Sequence, residues 1–296
     1  MELTIKKEFK EKYSKLTNYK EYEEILKKFL RQSFRVNTLK TSVAYIKKNF
    51  EKNYKLDKIP WCEEGFWITG ERRDLGNLYE HQIGSIYIQE AASMLPPIVL
   101  GAKKNEIVLD LSAAPGSKTT QISAMMKNTG LIMANDVNYY RMMPLVHNLQ
   151  RCGVLNTVTN VMDGRNVKGE FDKVLFDAPC SGVGTIRGNT GNSCYTMETY
   201  NIQKIKTLSG IQKKILLNAY KNLKNKEVLV YSTCSLEPEE DEEVIQFLLN
   251  ETDAKLMKID LKLKSEINLD YGDYSSELKK CIKLWPQFYD TEGFFV

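Results

Sequence analysis

The chain has 296 residues, of which 42% are hydrophobic and 27% are charged, and its formal net charge is +4. This length allows one large domain together with a smaller one. No apolar run approaches the roughly 20 residues of a membrane helix, and the amino terminus lacks the apolar segment of a secretion signal. The composition therefore predicts a soluble, cytoplasmic protein and disfavours the membrane and secreted classes.

Positive charge is concentrated at the amino-terminal end. Residues 1–58 contain 16 Lys and Arg against 8 Asp and Glu, whereas the remaining residues carry a net negative charge. A basic arm on a nearly neutral body suits a polyanion such as nucleic acid. Lysine-rich helices that are simply solvated would give the same count, so the charge alone leaves both interpretations open.

The six cysteines form no CxxC pair, and the chain has only two histidines. A structural zinc site is therefore disfavoured, and no metal site is expected. A disulfide framework is also disfavoured in a chain of this size without a secretion signal. We predict that the thiols are free.

The amino-terminal quarter has the pattern of a small α+β subdomain. Residues 19–30, YKEYEEILKKFL, repeat apolar side chains at helical spacing. Residues 33–40, SFRVNTLK, predict a short strand with basic ends, and the region up to residue 76 mixes short helices, tryptophans and turns. We therefore predict a small, basic α+β subdomain over residues 1–76 and a second, larger domain over residues 77–296.

From residue 107 onward, short apolar runs alternate with helix-like segments. The predicted strands are IVLDL (107–111), LIMAND (131–136), TVTNV (157–161), KVLFDA (173–178), EVLVYS (227–232), KLMKID (255–260) and GFFV (293–296). This alternation predicts an α/β fold with a mainly parallel, seven-stranded sheet covered by helices on both faces. Ligands of such sheets bind beyond the carboxyl ends of the strands, so functional residues are expected there.

Small and acidic residues follow the first three of these strands. Residues 110–119, DLSAAPGSKT, form a small-residue loop before a helix, whose amino terminus favours a carboxylate or phosphate. The loop is neither GxGxxG nor GxxxxGK[ST], so NAD and ATP are poorly supported. Asp136 ends the second strand, where a carboxylate can hold ribose hydroxyls, and Asp163 follows the third, where it could accept from an exocyclic amine. Together they predict an adenosine ligand with an anionic tail, although acids also cap strands and helices.

Two cysteines follow the next two strands. Asp177 and Cys180 leave the fourth strand in DAPCSG, and Cys234 leaves the fifth in YSTCSLEP. A cysteine at a strand end is usually an ordinary buried residue. Two cysteines that leave neighbouring strands, one of them beside an acid, instead favour nucleophilic chemistry. The residues alone do not decide which thiol would attack.

In this order, the blocks resemble the Sun family of RNA cytosine-5 methyltransferases, of the archaeal tRNA type. The resemblance rests on DLSAAPGSKTTQ, AND, DGR, VLFDAPCSGVGT and VYSTCSLEPEEDEEVI, and RVNTLK and YIQEAASMLPP extend it over residues 33–296. It implies a Rossmann-like class I fold, S-adenosylmethionine as the methyl donor, and 5-methylcytosine as the product. It also implies that residues 1–76 are an RNA-binding, RNA-recognition-like subdomain and that residues 77–296 are the catalytic methyltransferase domain. The implied substrate is tRNA. Ribosomal RNA and a non-catalytic RNA-binding role are the alternatives, and the need for an accessory protein stays open.

The resemblance also implies roles for individual residues. Cys234 corresponds to the nucleophile that adds to carbon 6 of cytosine, Cys180 helps to resolve the adduct, Asp177 hydrogen-bonds the base and Lys118 supports the site. The implied cofactor contacts are Ser112, Ala113, Ala114, Pro115, Gly116, Ser117, Lys118, Asp136, Arg141, Asp163 and Asp177. The DNA cytosine-5 methyltransferases use a cysteine that follows proline as the attacker, so Cys180 remains the alternative nucleophile.

The chain departs from the family pattern at three positions near these blocks. Ser112 stands where many relatives have cysteine, and Ser117 where many have glycine. Both are small residues, so cofactor binding is expected to persist. Asp241 replaces a common asparagine, and this change is expected to alter the loop behind Cys234.

Overall fold

The computed structural model describes residues 5–70, 75–187 and 197–296. They form two compact units. The first, here called the thiol unit, contains the described parts of Met1–Leu30, Ala178–Lys214 and Ser232–Val296. The second, the sheet unit, contains those of Arg31–Asp177 and Ile215–Tyr231. Neither unit has a boundary at residue 76, and the predicted division there stays a prediction.

The helices and strands alternate along most of the chain. The helices are α1 (Lys7–Leu16), α2 (Tyr19–Leu26), α3 (Val43–Phe50), α4 (Tyr79–Gln82), α5 (Leu95–Leu100), α6 (Ser117–Met126), α7 (Tyr139–Cys152), α8 (Ile202–Lys221), α9 (Glu242–Glu251) and α10 (Pro286–Tyr289). The strands are β1 (Ser33–Val36), β2 (Lys55–Lys58), β3 (Gly65–Thr69), β4 (Ile86–Ile88), β5 (Ile107–Asp110), β6 (Leu131–Asp136), β7 (Thr157–Val161), β8 (Phe171–Asp177), β9 (Leu223–Ser232), β10 (Lys283–Leu284) and β11 (Phe294–Phe295).

A five-stranded parallel sheet, in the order β7-β6-β5-β8-β9, forms the centre of the sheet unit. The central strands β5 and β8 are almost fully buried, as expected for a parallel sheet whose connecting helices cover its faces. At the edge, the Phe171 amide donates to the Asn222 carbonyl and the Ala178 amide to the Ser232 carbonyl, so β9 runs in the same direction as β8. The α/β class and the first five predicted strands are confirmed.

The predicted number of seven strands is wrong for the described residues. Residues 255–260 form no strand, and Met257 within them is 69% exposed. Their alternation of apolar and charged residues imitates a half-buried strand, but no partner strand supplies the hydrogen bonds. Instead, β10 and β11 form a short antiparallel pair, and Phe295 bridges to Thr233 just after β9.

The helices that carry site residues have clear local boundaries. α7 begins where the Asn138 side chain accepts a hydrogen bond from the Tyr140 amide, and it ends at Gly153, which adopts the left-handed conformation with φ of 71°. α6 follows Gly116, whose φ of 104° is strained for any residue with a Cβ. The loop before α6 thus requires glycine at its last position.

A four-stranded antiparallel sheet, in the order β2-β3-β1-β4, lies at the start of the sheet unit. Its core contains Phe34, and the two tryptophans Trp61 and Trp67 are also buried. The prediction of an α+β arrangement in this part of the chain agrees with the structure. Arg35 in β1 is only 2% exposed and donates to Gln89 and Thr120, so its guanidinium is structural and does not face RNA phosphates.

Helices α1 and α2 belong to the thiol unit, where their aromatic side chains form part of the core. The rings of Phe9 and Tyr13 stack with centroids 3.9 Å apart, and Trp285 packs edge-on against Tyr13. On the same helix, the buried Lys12 ammonium bonds to the carboxylates of Glu237 and Glu239. Lys12 is therefore another residue of the basic arm that is structural.

No helix among the described residues is long and apolar enough to span a membrane.

Replacement of Lys12 by methionine tests this ion pair. Lys12→Met leaves the carboxylates of Glu237 and Glu239 buried without their cation, and we expect the free energy of unfolding to fall by about 3–5 kcal/mol. Denaturant titration measures this loss. Lys7→Met on the exposed side of α1 is the matched control, and its midpoint should equal that of the unmodified chain. Equal midpoints for both variants would contradict the account.

Candidate active site

The loop after β5 leads into the amino terminus of α6, which can bind an anionic ligand. Gly116 at the N-cap position offers no side-chain hydrogen bond to the helix, so backbone amides of the first turn are available to a ligand. The Ala113 amide donates to the Asn135 carbonyl at 2.7 Å, which fixes the loop against the end of β6. The small residues predicted from the sequence thus lie at the carboxyl end of the sheet.

Asp136 lies at the carboxyl end of β6 and is 1% exposed. Its Oδ1 accepts from the Asn138 amide at 3.0 Å. Arg141 Nη1 lies 3.2 Å from Oδ2 but not in hydrogen-bonding geometry, and Oδ2 accepts no hydrogen bond from the described residues. Arg141 also donates to the Ala114 carbonyl at 2.5 Å, so one guanidinium links the carboxylate to the α6 loop.

Asp163 follows β7 and is held by its own neighbour. Arg165 donates to both carboxylate oxygens through its side chain and to Oδ1 through its backbone amide. These hydrogen bonds lower the pKa of Asp163 to about 2, so the carboxylate is ionised. It can accept a hydrogen bond from a ligand, but its strongest contact is with Arg165.

The chemistry of this donor set fits S-adenosylmethionine. The amino terminus of α6 suits a carboxylate, and the unsatisfied Oδ2 of buried Asp136 suits a ribose hydroxyl. Asp163 offers an ionised acceptor at the end of the next strand.

Lys118 and Asp177 form an ion pair between the first turn of α6 and the end of β8. The Lys118 ammonium donates to Asp177 Oδ2 at 2.7 Å, and the Lys118 side chain is 11% exposed. Lys118 lies in the first turn of α6, and Asp177 is the last residue of β8. The sequence implied that these two residues serve one site, and the structure brings their charged groups together.

In the thiol unit, the two candidate cysteines are in direct contact. The Sγ atoms of Cys180 and Cys234 lie 3.1 Å apart, and both residues are half-buried. The hydrogen bond with Cys234, together with burial, raises the pKa of the Cys180 thiol well above its ordinary value. Cys180 therefore keeps its proton at neutral pH, and either thiol can be the donor in the hydrogen bond between them.

Backbone contacts hold the two cysteine loops against each other. The Gly184 amide donates to the Cys234 carbonyl at 2.9 Å. A Cβ on Gly184 would lie 2.3 Å from the Gly293 carbonyl oxygen and 2.6 Å from that of Cys234, so only glycine permits this approach. The contact between the thiols thus follows from packed main chain as well as from the side chains.

Asp110 is a site residue that sequence reasoning did not single out, although it opens the quoted block DLSAAPGSKT. It is 1% exposed, and Thr119 Oγ1 donates to its Oδ2 at 2.6 Å. Burial raises the pKa of Asp110 to about 7. Its position at the end of β5, in line with Asp136 and Asp177, is the signal that could have identified it.

Comparisons with known proteins show which family this chain belongs to. The family described as 16S rRNA methyltransferase RsmB/F matches residues 97–296, and the N-terminal domain of 16S rRNA methyltransferase RsmF matches residues 5–91. The tRNA (cytosine(49)-C(5))-methyltransferase of Pyrococcus abyssi is 46% identical over 99% of this chain and 95% of its own length. The ribosomal RNA small subunit methyltransferase F of Vibrio atlanticus is 42% identical over 90% of this chain, which spans 57% of that relative.

Solved structures share the fold. A methyltransferase homolog protein from Pyrococcus horikoshii has a TM-score of 0.88 and 38% identity, with 99% of this chain and 94% of that chain covered. NSun6 from Pyrococcus horikoshii, solved with SFG, has a TM-score of 0.84 at 22% identity, with 98% and 96% covered. The second likeness concerns the fold alone.

The raised pKa of Asp110 predicts a pH-dependent stability. Between about pH 4 and 7 the folded chain keeps a proton on Asp110 that the unfolded chain releases. The contribution of this proton to the free energy of unfolding is therefore complete below pH 4 and is lost as pH rises through 7. Asp110→Asn does not titrate. Relative to the unmodified chain, the variant should gain about 1 kcal/mol of unfolding free energy per pH unit between pH 5 and 7.

Urea titrations at pH 5, 6, 7 and 8 measure this gain. Asp172→Asn is the control, because its hydrogen bond from Lys224 lowers the pKa of Asp172, and its difference from the unmodified chain should be constant over this range. A constant difference for Asp110→Asn as well would show that Asp110 does not titrate with a raised pKa.

Proposed function

We propose that this chain, which belongs to the RsmB/F family of S-adenosylmethionine-dependent RNA cytosine-5 methyltransferases, acts on tRNA through a covalent intermediate formed by Cys234. The observation that carries the mechanism is the 3.1 Å contact between the Sγ atoms of Cys180 and Cys234. A methyltransferase for small molecules or proteins would have no use for this pair of thiols. A non-catalytic RNA-binding relative would have no need to keep it.

S-adenosylmethionine, when bound, supplies an electrophilic methyl group. The residues proposed to hold it are Ser112, Ala113, Ala114, Pro115, Gly116, Ser117, Lys118, Asp136, Arg141, Asp163 and Asp177. Among them, Asp136 would accept from the ribose hydroxyls, and Arg141 would keep the α6 loop against that carboxylate. The α6 amino terminus would bind the carboxylate of the ligand.

Cys234 is the proposed nucleophile. Carbon 5 of cytosine is too weakly nucleophilic to accept a methyl group directly, whereas thiolate addition at carbon 6 turns carbon 5 into the reactive end of an enamine. Cys180 keeps its own proton at neutral pH, so it is the less suited of the two thiols to attack, and its Sγ lies 3.1 Å from that of Cys234.

Asp177 is proposed to hydrogen-bond the target base, and Lys118 to hold it in place. Addition at carbon 6 places negative charge on the ring, and a proton delivered to nitrogen 3 neutralises it, so Asp177 would act as the protonated acid, with the Lys118 ammonium as the source of that proton. The 2.7 Å bond from Lys118 fixes the Asp177 carboxylate at the end of β8, and this fixed geometry reduces the cost of orienting it during the reaction.

Cys180 is proposed to release the product. After methyl transfer, the proton on carbon 5 must leave before the Cys234 thiolate can be expelled. The hydrogen bond with Cys234 is the largest cause of the raised pKa of Cys180. Once Cys180 has released its own proton to solvent, its thiolate, or a water that it orients, would take the carbon 5 proton, and the electrons of that C–H bond would restore the ring's 5,6 double bond and expel the Cys234 thiolate.

The choice of tRNA rests on similarity in sequence. The Pyrococcus abyssi relative named for tRNA is 46% identical over 99% of this chain, whereas the match to the Vibrio relatives named for ribosomal RNA covers 90% of it. Ribosomal RNA is the second candidate because those relatives are 40–42% identical. The exposed lysines of residues 1–58 would contact phosphates in either RNA. We place the enzyme in the cytoplasm.

Trapping of the covalent intermediate tests the roles of the two thiols. The chain, Cys180→Ala and Cys234→Ala are incubated with tRNA and S-adenosylmethionine and run on a denaturing gel. Cys180→Ala should accumulate a protein–RNA adduct because release is blocked, and Cys234→Ala should form none. The reverse pattern would make Cys180 the nucleophile.

Comparison of substrates tests the choice of RNA. Unmodified tRNA and protein-free 16S rRNA are methylated under identical conditions, and kcat/KM is measured for each. We expect tRNA to be favoured by at least tenfold, which corresponds to about 1.4 kcal/mol of differential transition-state binding. A preference for 16S rRNA would replace tRNA with ribosomal RNA and would leave the thiol chemistry unchanged.

A further inference from the structure

Glu240 connects the two loops that carry the thiols. Its carboxylate is fully buried and lies in the segment between Cys234 and α9. Oε1 accepts from the Ser181 amide at 2.8 Å, and Oε2 accepts from the hydroxyls of Ser181 at 2.5 Å and Ser235 at 2.7 Å. Ser181 and Ser235 are the residues that directly follow Cys180 and Cys234.

We infer that Glu240 is a positioning residue that sets the separation of the two thiols by binding the residue after each of them. This inference rests on the proposed function, because it assigns Glu240 to the step in which one thiol attacks and the other releases. A single carboxylate that accepts from both loops fixes their relative position more tightly than separate contacts would, because displacement of either loop breaks hydrogen bonds to a buried charge.

The charge of Glu240 raises the pKa of Cys180, as the hydrogen bond between Cys180 and Cys234 does. After the bond with Cys234 and burial, the Glu240 carboxylate is a further cause of the raised pKa of Cys180. It therefore helps to keep the proton on Cys180 before Cys234 attacks. Glu240 thus supports the division of roles between the thiols as well as their distance.

Other groups around Glu240 come from several elements. Gln212 on α8 donates from Nε2 to Oε1 at 3.2 Å and to the Pro179 carbonyl at 2.9 Å. Asp241, the next residue, is paired with Lys283 on β10 at 3.2 Å, and the charge of Glu240 contributes to its raised pKa. The titratable groups that interact with Glu240 therefore include the Cys180 thiol and Asp241, which is itself paired with Lys283.

The neighbouring acids have different partners. Glu237 and Glu239 pair with Lys12, and Glu242 pairs with Lys283 at 2.7 Å. Glu240 instead binds the serines that follow the cysteines. In the sequence, residues 239–243 are an uninterrupted acidic run, EEDEE, and only the structure distinguishes this member.

Glu240→Gln tests the inference, because glutamine keeps the shape and removes the charge. The first readout needs no RNA: the rate of alkylation of each thiol by iodoacetamide is followed by peptide mass spectrometry between pH 7 and 10. The midpoint for Cys180 should fall by about one pH unit when the charge is removed, and because the pKa of Cys180 is raised well above its ordinary value, this shift is read as a roughly tenfold faster alkylation of Cys180 at each pH. The second readout is single-turnover methyl transfer to tRNA, which should slow by at least tenfold.

Glu243→Gln is the matched control. Its side chain is 44% exposed and pairs with Lys213 at 3.5 Å, and both readouts should equal those of the unmodified chain. An unshifted Cys180 midpoint in Glu240→Gln would overturn the inference, as would a shift of the same size in Glu243→Gln. A lowered melting temperature with unchanged thiol reactivity would make Glu240 merely structural, which also overturns it.

Ser181→Ala keeps the inference testable if Glu240→Gln does not fold. This variant removes one hydroxyl bond and leaves the Ser181 amide bond and the charge of Glu240 in place. Methyl transfer should slow by about fivefold, while the Cys180 midpoint stays unchanged. Unchanged methyl transfer would overturn the positioning role. If the unmodified chain methylates no RNA, the proposed function fails, and the alkylation readout still decides the role of Glu240.

Discussion

The segment that follows Cys234 buries five carboxylates within six residues, and the thiol unit is organised around their partners. A buried carboxylate is strongly destabilising unless a cation or several hydrogen-bond donors accompany it. The buried acids are Glu237, Glu239, Glu240, Asp241 and Glu242. Their partners come from distant parts of the chain: Lys12 from α1, Lys283 from β10 and Ser181 from the loop after β8. These partners bring the amino-terminal helix, the carboxyl-terminal strands and the Cys180 loop together.

This constraint links stability to catalysis. The segment that carries the proposed nucleophile is held by charge pairs and not by apolar packing alone, so the position of Cys234 depends on the placement of the acids beside it. Asp241 illustrates the point, because the family resemblance in the sequence predicts asparagine there. Lys283 and the hydroxyl of Thr233, which donates at 2.6 Å, accommodate the additional carboxylate. The loop behind Cys234 is therefore compatible with aspartate at this position.

Sequence reasoning succeeded where local pattern determines structure. The five parallel strands follow from short apolar runs, and their carboxyl ends identify Asp136, Asp177 and both cysteines as candidates. Sequence reasoning failed where the structure depends on contacts between residues that are far apart in the sequence. Arg35 and Lys12 carry the same charge as solvated lysines, and only their distant partners bury them. Residues 255–260 have the alternation of a strand but lack a neighbouring strand to complete it.

The central claim is that Cys234 attacks and Cys180 releases. The most direct measurement identifies the residue that is bound to RNA. The unmodified enzyme is incubated with S-adenosylmethionine and tRNA containing 5-fluorocytosine, whose carbon–fluorine bond blocks release, and the complex is digested and mapped by mass spectrometry. The account predicts a methylated fluorocytosine on the peptide that contains Cys234. The same mass on the Cys180 peptide would contradict it.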